Sequence, residues 1–329
     1  MANMQLSDRI GRRVKLHDLH VLMTVAQAGS MSRAAQLLNT TQPAISKSIA
    51  DLEHTIGVRL LDRGRHGAEP TEYGRALLEG GLAAFDDLRQ AVKNIEFLAD
   101  PTVGEIRVGT HNPMIAGLIP TLFDRLHKKH PGISVHVVSV PTDSQQFRVL
   151  RERKIDLLLG RMTPPIDDDI DTELLFHDRA IVVAGPNSKW AHRRRIELSE
   201  LASESWCLPS LDTTIGRAVA TAFRACGATF PPKGMVWGAA TFMCALIPRG
   251  PYLSVFPASL LRFGATLPKL KILQVVLPVP PWAIGVMTLK NRTRTPAVKL
   301  FIECAREVAK PLAGNPKSRR SSRRQQPGS

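Results

Sequence analysis

Apolar residues recur at helical spacing in three short runs near the start of the chain. In Leu16 to Ala28, the residues Leu16, Leu19, Leu22, Met23 and Ala26 fall on one stripe, and Gly29 follows as a helix C-terminal residue. Ser32 is the expected cap of a second segment, Arg33 to Leu38, whose Ala34, Ala35 and Leu38 suit close packing. Asn39 and Thr40 make a turn, and Thr41 caps a third helix with Pro43 in its first turn, where a missing N–H costs nothing. That helix is expected to run to about Thr55, to bury Ala44, Ile45, Ile49 and Leu52, and to stop at Gly57.

The pattern then changes. Arg59 to Pro70 contains Gly64, Gly67 and Pro70 among arginines and reads as a β-hairpin or wing. Thr71 caps a long helix to about Ala99, in which Leu78, Leu82, Phe85, Leu88, Val92, Ile95 and Ala99 recur three or four apart, the pattern of a two-helix seam. No helix of matching length is expected elsewhere, so a second copy of the chain is the economical partner, as a homodimer or homotetramer. Asp100-Pro101 closes the helix.

Beyond Gly104, strand and helix patterns alternate. Strands are expected at Glu105 to Gly109, Ile133 to Val140, Ile155 to Gly160, Ala180 to Ala184, Trp206 to Pro209, Met235 to Trp237, Lys271 to Val276 and Ala283 to Leu289. Helices are expected at Ala116 to Lys129, Gln145 to Arg153, Ile215 to Cys226, Ala239 to Leu246 and Pro296 to Ala309. Repeated βα units imply a parallel-type sheet covered by helices, here split into two lobes because the cycle restarts near Leu174. The expected fold class is α+α/β: a winged helix-turn-helix over 14–71, a linker and dimerisation helix over 72–100, and a two-lobed α/β domain over 104–310. Lobe I takes about 104–173 and 281–310, lobe II about 174–280, and 311–329 is expected to be a disordered basic tail.

Composition adds a bias in partners. The 329 residues are 43% hydrophobic and 22% charged, an ordinary globular mixture, but the formal net charge is +15. Such a surplus favours polyanions, nucleic acid before a membrane surface. Part of it lies in Lys317, Arg319, Arg320, Arg323 and Arg324 of the tail, set among Ser, Gln, Gly and Pro as in a solvated extension. Cys207, Cys226, Cys244 and Cys304 are far apart and form no C-x-x-C pair, which fits reduced thiols in the cytosol rather than a disulfide framework or structural zinc. No apolar run reaches the roughly 18 to 20 residues that span a bilayer. Met1 to Lys15 has no apolar core like that of a secretion signal. A cytoplasmic protein with no membrane partner is expected.

The residues from Gly29 to Gly57 carry the most specific signal: Gly-Ser, Ala34-Ala35 with Leu37-Leu38, Thr41-Gln42-Pro43-Ala44-Ile45-Ser46, Leu52-Glu53 and Gly57, in order. Leu60-Leu61-Asp62-Arg63 and Thr71-x-x-Gly74 follow. This string closely resembles the LysR-type transcriptional regulators; Pro70 stands where that family usually has an apolar residue. The physics agrees. A recognition helix presents polar tips to the major groove, so Gln42 can pair with an adenine edge, Ser46 with base or phosphate, and Lys47 with phosphate or guanine. Thr41, Pro43 and the free N–H groups of that first turn suit a phosphate, as does Ser32. Arg63, Arg65 and His66 on the wing fit a neighbouring phosphate or the minor groove. Taken singly, Ser32 and Thr41 are also ordinary caps, and Lys47 and Arg63 ordinary solvated charges. Their arrival in one ordered string favours duplex DNA.

The resemblance further implies that the C-terminal part is a domain like a periplasmic binding protein, with a small-molecule effector between its lobes. Thr110, His111 and Asn112 lie between a strand and a helix, the expected ligand position in an open α/β sheet; Arg161 ends another strand. Asp212, Thr213 and Thr214 precede a helix of the second lobe. Arg161 suits a carboxylate, and Asn112, Asp212, Thr213 and Thr214 suit hydroxyls, although capping and turn chemistry explains each equally well. The wing sequence Arg63 to Thr71 is similar to regulators of sugar-binding-protein genes, so a monosaccharide such as galactose or arabinose is the first effector to consider, controlling genes for its uptake or catabolism. An aromatic or other organic acid held by Arg161 is the alternative. RNA polymerase is a further candidate partner.

Enzyme readings gain no support. His17 with His20, and His127 with His130, have helical spacing but no third ligand nearby. Asp167, Asp168, Asp169 and Asp171 lack the spacing and terminal Glu of a calcium loop. No Walker phosphate loop, G-x-S-x-G elbow or H-E-x-x-H occurs, and no cofactor is expected. A cytoplasmic small-molecule binding protein whose basic N-terminus is incidental is the remaining alternative of a different class.

Overall fold

A computed structural model describes residues 10–11, 13–64, 67–140, 146–211, 213–227, 230, 240–263 and 270–313. The chain divides into two compact units, residues 1–91 and 92–329.

The first unit opens with helices α1 (Leu16–Ala28), α2 (Met31–Leu37) and α3 (Gln42–Ile56). Gly29 ends α1 in the left-handed region at φ 67, and Gly57 ends α3 at φ 86, conformations that L side chains rarely adopt. The three helices bury Val21, Leu22 and Val25 from α1, Ala34 and Ala35 from α2, and Ile45, Ile49 and Leu52 from α3. Full burial of each Leu, Ile or Val is worth about 1.5–3 kcal/mol before entropy is counted. Ala44, expected inside, is exposed, because the inward stripe of α3 follows Ile45, Ile49 and Leu52. A hairpin of β1 (Leu61–Gly64) and β2 (Gly67–Pro70) follows, with Arg63 opposite Ala68. Thr71 then serves two elements: its Oγ1 donates to Arg59 O at 2.8 Å and accepts from Gly74 N at 3.0 Å, closing the hairpin and capping α4 (Glu72–Ala99).

The second unit holds the end of α4 and two sheets. Its remaining elements run β3 (Val103–Thr110), α5 (Asn112–Ala116), α6 (Leu118–Lys129), β4 (Gly132–Ser139), α7 (Gln146–Arg151), β5 (Leu157–Arg161), β6 (Ile170–Asp178), β7 (Ala180–Ala184), β8 (Ser205–Cys207), α8 (Thr214–Ala225), α9 (Ala240–Leu246), β9 (Tyr252–Pro257), α10 (Ala258–Phe263), β10 (Lys271–Ile272), β11 (Trp282–Leu289) and α11 (Pro296–Ala313). The five-stranded sheet has the order β4-β3-β5-β11-β6 and the four-stranded sheet β10-β7-β9-β8. The first is covered by α6 and α11, whose Leu122, Leu126 and Phe301 pack on Ile106, Val108 and Val286. In the second, Trp206 meets Phe223 edge-on at 5.1 Å and donates its indole N–H to Leu201 O at 2.8 Å.

Both sheets are mixed. β3 pairs in parallel with β4 and β5, and β8 with β9, as βα units require. β11 is antiparallel to β5 and β6, and β7 to β9 and β10, because the chain passes from one sheet to the other along consecutive strands, between Asp178 and Ala180, rather than over a helix. Two further departures concern helices and strands. The helix expected over Ala116 to Lys129 starts at Leu118 as α6, and a short helix that was not expected, α5, precedes it; Gly117 separates the two, and a Cβ there would stand 3.1 Å from the Leu260 Cα. β9, bonded on both sides in its sheet, is an element that the sequence pattern did not suggest. The expected strand Met235 to Trp237 lies outside the described residues; of the tail expected over 311–329, residues 311–313 instead end α11 and the rest lies outside the described residues.

Candidate functional site

The local sequence builds α3 as a helix with one inward and one outward face. Thr41 has extended backbone (φ −96, ψ 149), and its Oγ1 accepts from Ala44 N at 3.4 Å, with Pro43 in the first turn. Ile45, Ile49 and Leu52 face the core; Gln42, Pro43, Lys47 and Ala50 are exposed, and Ser46 is half-buried. Ser48 Oγ donates to Asp18 Oδ1 at 3.1 Å and fixes α3 against α1. The outward face thus offers an amide, a hydroxyl and an ammonium within one and a half turns.

The cap of α2 is Ser30 rather than Ser32. Ser30 is extended (φ −160) and its Oγ accepts from Arg33 N at 3.2 Å. The left-handed Gly29 turns the chain so abruptly that only Gly29 and Ser30 separate α1 from α2, leaving Ser32 exposed inside the first turn.

The wing is anchored by Glu53, a residue that sequence reasoning did not single out. Its Oε1 accepts from Leu60 N (2.8 Å) and Leu61 N (3.2 Å), and its Oε2 from an Arg63 guanidinium nitrogen (3.2 Å). Arg63 is therefore engaged within the protein while 44% of its side chain stays exposed. Gly67, at φ 126, rests against the end of α1: a Cβ there would lie 2.3 Å from Gly29 O, and Ala68 N donates to the same carbonyl at 2.9 Å. Arg65 and His66 lie outside the described residues.

In the second unit the parallel strands β3 and β5 bring Thr110, His111, Asn112 and Arg161 to the same carboxyl edge of the five-stranded sheet. Their side chains differ in availability. Thr110 is fully buried and its Oγ1 donates to Leu159 O at 2.6 Å, a bond between strands. His111 Nδ1 lies 3.0 Å from Val140 O; a carbonyl only accepts, so this nitrogen carries the proton. Nε2 lies 3.4 Å from the side-chain amide of Gln146, which is itself buried. Asn112 is exposed at the start of α5. Arg161 is half-buried, its guanidinium 4.4 Å from the centre of the Trp282 ring. Near it, Asp178 accepts from Arg179 N (2.8 Å), Ser259 N (3.2 Å) and Ser259 Oγ (2.5 Å). Burial pushes the Asp178 carboxyl above its ordinary value despite these donors and the Arg161 charge.

Thr213 and Thr214 belong to the other sheet. Thr213 caps α8: its Oγ1 accepts from Gly216 N at 3.1 Å and donates to Ser210 O at 2.6 Å. Thr214 Oγ1 accepts from Arg217 at 3.4 Å. Asp212 lies outside the described residues. Trp282, Asp178 and Ser259 escaped the sequence reading, since nothing local marks them.

Comparison with known proteins decides the family. A family model described as "Bacterial regulatory helix-turn-helix protein, lysR family" matches residues 16–75, and one described as "LysR substrate binding domain" matches residues 99–310. The chain belongs to the LysR family. It is a DNA-binding transcription regulator with an effector-binding domain. The Azospirillum brasilense HTH-type transcriptional regulator GbpR is 24% identical over 319 residues, 96% of this chain and 92% of that protein. The uncharacterized HTH-type transcriptional regulator YdcI of Escherichia coli (strain K12) is 30% identical over 185 residues, 56% of this chain and 60% of YdcI, so less than two thirds of that relative is spanned. These relatives are regulators, not enzymes. Among solved structures, full-length OxyR from Pseudomonas aeruginosa aligns with a TM-score of 0.65 at 20% identity, over 92% of this chain and 98% of that one. CbnR complexed with its target DNA aligns with a TM-score of 0.61 at 23% identity, over 90% and 100%. At such identities the likeness speaks for the fold, that of full-length LysR regulators. Among the described residues no helix is long and apolar enough to cross a membrane.

Proposed function

We propose that this LysR-family chain reads duplex DNA with the outward face of α3, flanked by the wing, and does so in the cytoplasm as a homo-oligomer under control of a small-molecule effector. The observation that carries the DNA reading is the exposed row Gln42, Pro43 and Lys47, with Ser46 beside it, over the buried Ile45, Ile49 and Leu52. Thr41 and the first-turn N–H groups would take a phosphate, as would Ser32 at the neighbouring helix start and the exposed part of Arg63. On α4, Leu88, Val92, Ile95 and Leu98 are 48%, 53%, 65% and 80% exposed, an apolar seam that a second copy would cover. The proposed division is a winged helix-turn-helix over 14–71, a linker helix over 72–100 and an effector domain over 104–310.

Promoter fragments holding an interrupted inverted repeat are the test. Intact protein should retard them in preference to random duplex, with at least two chains per duplex by light scattering. Gln42→Ala should lose about 1–3 kcal/mol of discrimination among sites if its amide reads a base. An unchanged ranking of sites would remove Gln42 from base readout.

For the effector, the loops at the carboxyl ends of β3 and β5 are the proposed seat, with Asn112, His111 and Arg161 as contacts. Thr110 and Thr213 already donate their hydroxyl protons to backbone carbonyls, which weakens the monosaccharide reading. Arg161, held against an aromatic face, favours the alternative, an organic acid. Thermal unfolding of the full chain with benzoate, galactose or arabinose separates the two, since a ligand raises the midpoint through its preference for the folded state. A rise with benzoate that Arg161→Met abolishes is expected; a rise with a sugar alone restores the monosaccharide.

A further inference from the structure

The helix-turn-helix contributes nothing to the net charge of +15. Residues 1–100 hold twelve Lys and Arg and twelve Asp and Glu, a balance with little of the summed positive field that draws a protein to phosphates at a distance. More than half of the surplus lies from Arg179 to Lys271, where twelve Lys and Arg stand against four Asp and Glu.

The fold gathers six of those cations around one end of the four-stranded sheet, the end of β7 away from its junction with β6. Lys271 on β10 pairs with Ala184, the last residue of β7. Gly185 follows, and a Cβ there would stand 2.8 Å from Ile247 O, so the turn Ile247–Arg249 lies against it. The next loop is folded by short turns, Ala191 N to Ser188 O at 2.9 Å and Arg193 N to Trp190 O at 3.2 Å. It returns to the sheet where Ile196 N donates to Gln274 O at 3.1 Å. This loop carries Lys189, Arg193, Arg194 and Arg195, and the centre of the Trp190 ring lies 5.4 Å from Lys189 Nζ and 5.2 Å from the Arg193 guanidinium carbon.

Three carboxylates stand among them, each already paired: Glu197 with Arg195 at 3.3 Å, Glu200 with Arg193 at 2.6 Å and Glu204 with Lys189 at 2.7 Å. Arg194, Arg249 and Lys271 are exposed and have no carboxylate partner among the described residues. No Val, Leu, Ile, Met, Phe, Tyr or Trp side chain from Gly185 to Ser205, or from Ile247 to Tyr252, is exposed. A protein-docking patch needs an apolar core and a membrane-surface segment needs apolar anchors; a surface for nucleic-acid phosphates needs neither.

We propose that this end of the four-stranded sheet is a second DNA contact, at which Arg194, Arg249 and Lys271 bind backbone phosphates of duplex outside the bases read by α3. The inference rests on the DNA binding of the family and adds to it a sequence-independent site. Base discrimination stays with α3, while salt-dependent attraction comes from the second unit.

The test follows fluorescence anisotropy of a duplex of about 60 base pairs and arbitrary sequence between about 50 and 200 mM KCl. It compares the intact protein with a variant carrying Arg194→Gln, Arg249→Gln and Lys271→Gln. Each phosphate contact contributes roughly 0.9 to the slope of log K against log salt, so losing three predicts a slope shallower by about 2 to 3 per chain engaged and affinity at least about tenfold weaker. A second variant, Arg194→Lys with Arg249→Lys and Lys271→Arg, should keep the parent slope. Neither should alter the ranking of sites that Gln42→Ala is expected to alter, so loss of this contact and loss of base readout are distinguishable. Equal slopes for the glutamine variant and the parent overturn the proposal while leaving helix-turn-helix binding intact. A slope equally shallow in the charge-conserving variant also overturns it. So does lost binding of the glutamine variant to polyglutamate with an unchanged duplex slope, which assigns the surface to an acidic protein. Failure of the intact protein to bind any duplex at about 50 mM KCl would overturn the DNA reading itself, and this inference with it.

Discussion

Replacing Glu53 by alanine is expected to destabilise the first unit by about 2–4 kcal/mol and to weaken duplex binding at least tenfold. The reasoning is hydrogen-bond accounting. Leu60 and Leu61 are 1% and 2% exposed, and their backbone N–H groups both donate to Glu53 Oε1. Alanine leaves two donors without their acceptor in a part-buried site, where the Glu53 side chain is 16% exposed, at about 1–2 kcal/mol each. Arg63 loses its ion pair as well, but that pair is largely solvated and adds little to stability. The consequence for DNA is positional, because Leu61 begins β1 and the wing hangs from it. Glu53→Gln keeps an oxygen acceptor for both N–H groups and should recover most of the stability, while releasing Arg63. Urea unfolding together with fluorescence anisotropy on duplex DNA checks both effects. An alanine variant within about 0.5 kcal/mol of the parent would show that the N–H groups find other partners, and would remove Glu53 as the wing's anchor.

Glu53 also marks how far the sequence could be read. α3 was legible nearly to its ends because every signal for it is local: Thr41 to cap, Pro43 in the first turn, Ile45, Ile49 and Leu52 at helical spacing, Gly57 to stop. Glu53 stands in the same string, yet its partners are backbone groups of the following turn, and no side-chain pattern announces a backbone N–H. The Ser30-Met31-Ser32 step failed for a related reason. Either serine can cap, and the choice was made by the left-handed turn at Gly29. β9 was missed because Gly250 and Pro251 precede it and Pro257 ends it, punctuation that reads as loop. Burial between two neighbours, β7 and β8, makes it a strand. In the proposed effector loops, position was legible and availability was not. Strand ends predicted where Thr110, His111 and Arg161 would gather, but only the assembled sheet shows Thr110 spent on Leu159 O and Arg161 laid against Trp282, which joins β5 to a strand from the far end of the domain.

The carboxyl edge of that sheet carries the proposed effector loops; its opposite edge carries the largest expected stability effect in the second unit. Asp156, 5% exposed, accepts from Arg107 N (2.7 Å) and an Arg107 guanidinium nitrogen (3.1 Å), and from Arg292 at 2.7 Å. Arg292 is 7% exposed and also donates to Ile155 O at 2.8 Å. Arg107 lies on β3, Asp156 just before β5 and Arg292 just after β11, so one carboxylate pins three adjacent strands at a common level. Burial alone would raise its pKa; the Arg107 N–H and the two guanidinium charges outweigh that and hold it below the ordinary carboxylate value. Because the folded-state value is depressed, the contribution is complete above the unfolded carboxylate pKa of about 3.9 and is lost as pH falls through the lower folded value. Asp156→Ala at neutral pH should therefore cost about 3–5 kcal/mol, chiefly by leaving Arg292 buried without its counter-charge. Arg292→Leu should cost a similar amount. If the two charges need each other, the double variant should fall short of the sum by about 1–3 kcal/mol. Strict additivity, measured by denaturant unfolding, would mean that Arg292 does not depend on Asp156 and that this pair does not hold β11 level with β5.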